Sequence, residues 1–298
     1  MNLDFTLAKY QELCDSILKS GYMPLTVEKY LSLKVKHEPF IIIRHDVDSE
    51  PEYALKMAKL ENEFGITSSY YFRCIEGLFR PDIIKAIARL GHEIGYHYEV
   101  LDKAKGDFTQ AIEIFKKDLN ELRKFYNVRT IAQHGSPLVG TLAAISISGM
   151  YAIVKSLLLN EDVFTSWNNK DLWTKYNFKD FGIIGEAYLS INFNKVLYLS
   201  DTGRNWNSTK YKIKDLVNVS NNSLYNIKVR NTYDIIKIIK KEDIEGICIL
   251  VHPNQWKETY SEWLRWLMFQ YIRNVGKIGL KAYWKIIKQN QHSNLMVR

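Results

Sequence analysis

The sequence predicts an α/β fold with a parallel sheet or barrel, and three observations predict it. Apolar β-forming runs recur, most plainly Phe40-Ile41-Ile42-Ile43 and Ile247-Cys248-Ile249-Leu250-Val251. Segments with helical apolar spacing lie between such runs, as over 107–126. The alternation of the two builds βα units, whose strands are covered on both faces and so read as continuous apolar runs. No internal repeat or low-complexity linker interrupts the chain. We divide it into an N-terminal helical extension (1–38), a catalytic body (39–256) and a basic, aromatic, helical C-terminal segment (257–298).

Taken in order, 1–38 reads as a helix and a connector. The Phe40–Ile43 strand runs directly into acids. Residues 50–64 read as a helix closed by Gly65, since glycine takes up the left-handed conformation that ends helices. Residues 68–74 (SSYYFRC) read as a strand, and 81–90 as a helix opened by Pro81 and ended by Gly91. Residues 93–98 are strand-like. Residues 107–126 carry Phe108, Ala111, Ile112, Phe115, Leu119 and Leu122 on one helical face. Residues 128–133 form a short strand running into His134. The region 138–185 is rich in Trp, Tyr, Phe and Asn without clean periodicity, and reads as helical and loop insertions over a site. Strands are expected at 186–191, 195–200 and 247–251, with a helix at 232–240.

A chain of 298 residues, 46% hydrophobic and 25% charged, can bury a sizeable core. Cys14, Cys74 and Cys248 are widely spaced with no CxxC, which fits a reducing compartment rather than a disulfide framework. The first twenty residues contain acids and no long apolar run, so no signal peptide is expected. No stretch of eighteen apolar residues occurs either, and the expectation is a cytoplasmic protein. The net charge is +8, but residues 261–298 hold seven basic residues against Glu262 alone. The body is therefore near neutral, which argues against a nucleic-acid enzyme. In the C-terminal segment Trp263, Trp266, Phe269, Tyr271, Tyr283 and Trp284 lie among Lys and Arg. That mixture suits peripheral contact with the headgroups of an anionic membrane. The plainer alternative is an amphipathic helix packed on the body. Gly276 and Gly279 are expected to divide the segment in two.

The chemistry gathers at strand ends. Asp46 and Asp48 follow the Ile-Ile-Ile run, and residues two apart on a strand point the same way. Asp48 also reads as a helix N-cap, being followed by Ser49-Glu50-Pro51. His97, His134 and His252 each end a strand-like run. Any one of them alone is an ordinary structural histidine, and Gly135-Ser136-Pro137 after His134 is ordinary turn chemistry. Three histidines and two acids at the ends of parallel strands, which form one face, make a shared metal-hydrolase site the sharper reading.

These segments resemble the polysaccharide deacetylase superfamily, the NodB-homology or carbohydrate esterase family 4 group. Arg44-His45-Asp46-Val47-Asp48 is similar to its acid pair after a hydrophobic strand. Gly91-His92-Glu93-Ile94-Gly95-Tyr96-His97 closely matches its second motif and is the most specific part. Ser200-Asp201-Thr202-Gly203-Arg204-Asn205-Trp206 resembles an intervening acid-and-Trp motif. Leu250-Val251-His252-Pro253 matches the late Leu-x-His-Pro motif. The likeness runs over roughly 39–256 in the family's order and is closer to outlying members tied to surface-polysaccharide loci.

The resemblance implies a deformed (β/α) barrel holding one divalent metal ion, zinc in the first instance, with cobalt, nickel or iron as alternatives. It implies Asp46 as catalytic base, Asp48 and His97 as metal ligands, and His252 as general acid. It also implies that Asp201 orients a partner or, with Arg204, lines the substrate pocket, where Trp206 stacks on a sugar ring. Two departures stand out. Val47 separates acids that are adjacent in the family, which leaves base and ligand interchangeable between Asp46 and Asp48. Leu101 stands where the family has its second metal histidine. His134 is the favoured third ligand, with Glu99 and Asp102 as alternatives. The expected activity is N-deacetylation of an amino sugar in capsule or O-antigen synthesis. A metal-independent hydrolase of another C–N bond, such as a cyclic amide, and a non-catalytic glycan-binding relic are the competing readings.

Overall fold

The computed structural model describes residues 3–33, 38–135, 167–206, 217, 219, 224, 227–275 and 278. Eight strands among them form one sheet. They are β1 (Met23–Leu25), β2 (Phe40–Val47), β3 (Ser69–Phe72), β4 (Glu93–Tyr98), β5 (Thr130–Gln133), β6 (Gly185–Glu186), β7 (Val196–Ser200) and β8 (Gly246–Val251). Their order is β6-β5-β4-β3-β2-β8-β7, and every pairing is parallel. The sheet curls into a half-barrel flanked by helices, an α/β architecture compatible with the expected deformed barrel. All three cysteines are free thiols.

The N-terminal residues are not an appendage. β1 adds to the sheet beside the first half of β2, pairing Met23 with Phe40 and Leu25 with Ile42. β3 takes over the same edge from Arg44 onward. Helix α1 (Leu7–Leu18), capped by Thr6, packs against α7 (Thr232–Lys241), capped by Asn231. Between these two lie α2 (Val27–Ser32), α3 (Pro51–Glu63), α4 (Pro81–Arg89), α5 (Val100–Lys103) and α6 (Phe108–Arg123). Proline opens α3 and α4, and the Asp107 carboxylate caps α6 by accepting from Thr109 and Gln110 N–H.

Alternation along the strands divides the molecule into inside and outside. On β2, Ile41 and Ile43 face α1 and α7, whereas Phe40 and Ile42 face the interior of the curl. Tyr71, Ala132, Tyr198, Cys248 and Leu250 join that interior cluster from four other strands. The same parity carries Arg44 and Asp46 inward and sends His45 and Val47 outward.

The Gly-His-Glu-Ile-Gly-x-His motif is the same alternation made explicit. Gly91, at φ 89°, turns the chain from α4 into β4. His92 faces outward, 2.9 Å from the Ala58 carbonyl. Glu93 faces inward and accepts from Ser69 Oγ, Thr130 Oγ1 and Glu28 N–H. Ile94 packs outward. A Cβ on Gly95 would lie 2.3 Å from the Tyr71 ring, so only glycine leaves space for that ring inside the curl. His97 then emerges at the top.

One expected strand is mostly a turn. Over 186–191 only Gly185–Glu186 pairs, because the Glu186 carboxylate accepts from Tyr188 and Leu189 N–H (2.7 and 2.9 Å) and folds the backbone over itself. From the insertion region, 169–174 and 178–181 are short 3₁₀ turns, while 136–166 lie outside the described residues. The C-terminal segment is helical over 260–275, and the division expected at Gly276 and Gly279 falls outside the described residues. Among the described residues no helix is long and apolar enough to cross a membrane.

Candidate metal centre

The C-terminal ends of β2, β4, β5 and β8 bring Asp46, Asp48, His97, His134 and His252 to one place. His97 Nε2 lies 3.3 Å from Asp48 Oδ1 and 3.5 Å from Asp46 Oδ2. His134 Nε2 lies 3.6 Å from Asp48 Oδ1, and His252 Nε2 lies 3.8 Å from Asp48 Oδ2. One donor atom each from Asp48, His97 and His134 falls within 4.8 Å of the others.

This donor set fits a divalent ion. His97 Nδ1 sits 3.0 Å from the Ala132 carbonyl, which can only accept, so Nδ1 carries the proton and Nε2 turns a lone pair into the cluster. His134 Nδ1 lies 2.9 Å from Glu99 Oε2, close to the carboxylate but not aligned for a hydrogen bond. A carboxylate or carbonyl behind the imidazole is what orients a metal-ligating histidine. Asp48 Oδ1 is buried and receives no aligned hydrogen bond, an atom left for another partner. Two nitrogens and a carboxylate oxygen suit zinc and neighbouring transition ions.

The other two candidates for the third ligand are occupied elsewhere. The Asp102 carboxylate accepts from Trp167 N–H (2.9 Å) and Asn169 Nδ2 (2.8 Å). Glu99 stands behind His134 and is clamped by Arg73 at 2.6 Å. Burial alone would raise its pKa, but His134 and Arg73 hold it down at about 2. Leu101 is buried in the apolar core of α5.

Asp46 is almost wholly buried, and Arg44 grips both its oxygens at 2.8 and 2.7 Å. Sequence reasoning missed this partnership, although the two-residue spacing that aligns Asp46 with Asp48 aligns Arg44 as well. The guanidinium lies over the Tyr188 ring, 4.2 Å from its centre. Burial pushes the Asp46 pKa upward, yet Arg44 and His97 bring it below the ordinary carboxylate value. Asp48 is held well below that value by His134, His97 and His252, against the effect of burial. For His97, burial is outweighed by Asp46 and Asp48, and its pKa is raised.

His252 belongs to a second constellation. Its Nδ1 is 2.6 Å from Asp201 Oδ1, and Asp201 also accepts from the His252 backbone N–H and from Trp256 Nε1. Burial disfavours the charged ring, but Asp201 raises its pKa to about 10. Asp201 is fully buried behind His252. It therefore does not line a pocket, which corrects half of the expectation for it.

Trp206 needs a fuller correction. It is 2% exposed, stacked on Phe5 at 5.9 Å and edge-on to Trp256 at 6.1 Å, with Nε1 donating to Thr232 Oγ1. Neither indole face is open to a sugar. Trp206→Ala is expected to lower stability by about 3–5 kcal/mol and to leave KM unchanged; denaturant unfolding beside steady-state kinetics checks both. Arg204 lies between the Phe5 and Trp263 rings, 5.1 and 5.2 Å from their centres, and is turned towards the N-terminal segment and the C-terminal helix. Burial lowers its pKa to about 10.

The C-terminal helix packs on the body near Gly203, which the sequence did not reveal. Asn274 Nδ2 donates to Gly203 O at 2.9 Å. Arg273 is close enough to Asp48 for that carboxylate to raise its pKa, although burial is the larger effect and lowers it. No family model matches the chain, and no curated protein matches it in sequence.

Proposed function

We propose that this chain is a metal-dependent hydrolase that removes an N-acetyl group from an amino sugar of a surface polysaccharide or its precursor, on a deformed barrel of the polysaccharide deacetylase type. The observation that carries the reading is the convergence of Asp48, His97 and His134 beside Asp46, held by Arg44, and His252, held by Asp201. The order and spacing of the four resembling motifs supply the amide and the sugar.

A divalent ion bound by Asp48, His97 and His134 would supply a water of lowered pKa and polarise the amide carbonyl. Asp46, kept ionised by Arg44, accepts the proton of the attacking water through Oδ2, the oxygen facing His97. His252, kept protonated by Asp201, donates from Nε2 to the departing amine. Glu99 and Arg73 fix the His134 ring. His134, beside Asp48 and His97, supports the metal-dependent reading over the metal-independent one, since Leu101 cannot bind metal.

The test is acetate release from N-acetylated sugars and oligosaccharides by metal-loaded protein. Release that chelation abolishes supports the proposal; turnover indifferent to chelators sinks it. The acid role has its own check. Asp201→Asn removes the charge that holds the His252 pKa near 10, and burial then lowers it. The alkaline limb of the kcat/KM profile is expected to move down by at least about one pH unit. An unmoved limb would take the acid role from His252.

A further inference from the structure

The helix over 260–275 is apolar on two sides. Its inner side packs on the body: Trp263 Nε1 donates to Asp4 O, and Gln270 and Asn274 are buried. Its outer side carries Leu264, Leu267, Met268, Tyr271, Ile272 and Val275, all exposed, with Met268 at 62% and Tyr271 at 70%. Positions 264, 268, 271 and 275 recur at helical spacing, so the exposed residues form one stripe along a helix about 24 Å long. A contiguous apolar stripe of this size facing water marks an interaction surface.

We infer that this stripe docks on an anionic lipid bilayer. Charge identifies the occupant. Arg265 lies on the same exposed side, and after Glu262 the chain carries no acid while adding Lys277, Lys281, Lys285, Lys288 and Arg298. A second copy would bring together two chains of net charge +8, whose basic residues repel. Negatively charged headgroups would neutralise them while the aliphatic and aromatic side chains enter the acyl boundary. Among the described residues no helix is long and apolar enough to cross a membrane. The inner face of the same helix is tied to the body by Asn274 Nδ2, which donates to Gly203 O. The inference stands whether or not the chain is a deacetylase.

The experiment is co-sedimentation of the full chain with vesicles of phosphatidylcholine alone and of phosphatidylcholine with phosphatidylglycerol at 3:1. The Met268→Glu/Tyr271→Glu variant runs in parallel. Both side chains are more than half exposed, so the fold should hold, and a circular-dichroism melt verifies it. Binding is expected to be at least about tenfold tighter to the anionic vesicles, to weaken in 0.5 M salt, and to drop at least about tenfold in the variant. A folded variant that binds like the wild type overturns the inference, as does a wild-type chain that ignores both vesicles. A light-scattering mass of a dimer that the variant converts to monomer, without vesicle binding, assigns the stripe to a second copy instead.

Discussion

Asp48→Ala is expected to lower hydrolytic turnover by at least about a thousandfold, the loss typical when a group essential to assembling a catalytic centre is removed. Asp48 is the hub of the cluster: His97, His134 and His252 all lie within 3.8 Å of its carboxylate. Its removal takes away one ligand and leaves three imidazoles facing one another without the charge that gathers them. The fold should survive, since the Asp48 side chain is 30% exposed at a strand end. Acetate release beside a thermal melt separates the two effects. A variant retaining a tenth of wild-type turnover would show that the cluster is structural.

Glu61→Ala is expected to lower stability by about 3–5 kcal/mol, because it strips the counter-charge from a buried polar network. The network sits on the outer face of β2, behind the metal centre. Glu61 is fully buried and meets His45 Nε2 at 2.7 Å, and it accepts from Ser68 Oγ, Tyr70 OH and Tyr10 OH. Burial alone would raise its pKa, but His45, His92 and these donors depress it from 4.5 to about 2. A depressed carboxyl contributes stability that is complete above its unfolded pKa and is lost as pH falls through the folded one. Wild-type stability should therefore decline between about pH 5 and 2, and Glu61→Gln should flatten that decline. Urea unfolding followed by circular dichroism across this range measures both. A loss below about 1 kcal/mol for the alanine variant would show that the network is incidental.

Much of the arrangement was legible because strand parity is simple. Asp46 and Asp48 face one site for the reason that Ile41 and Ile43 face the helices. His97 and His252 follow in register from their own interior residues. His134, favoured as third ligand over Glu99 and Asp102, ends a strand beside that of His97 and falls in the candidate triad. What stayed hidden depends on packing between distant segments. Trp206 looked like a sugar platform, but Phe5, far off in sequence, closes one of its faces. The Glu186 turn defeats a β-type pattern through side-chain-to-backbone bonds that no periodicity records. Asn274 bonds Gly203 from a helix whose docking on the body is set by tertiary contacts.

The most direct test of the metal centre is elemental analysis of the purified full chain beside His134→Ala. His134 is the informative position, because it completes the candidate triad with Asp48 and His97. The account predicts close to one equivalent of a transition ion in the wild type and at least about a tenfold loss of affinity in the variant. An ion held as tightly without His134, or no uptake by the wild type after reconstitution, would contradict it.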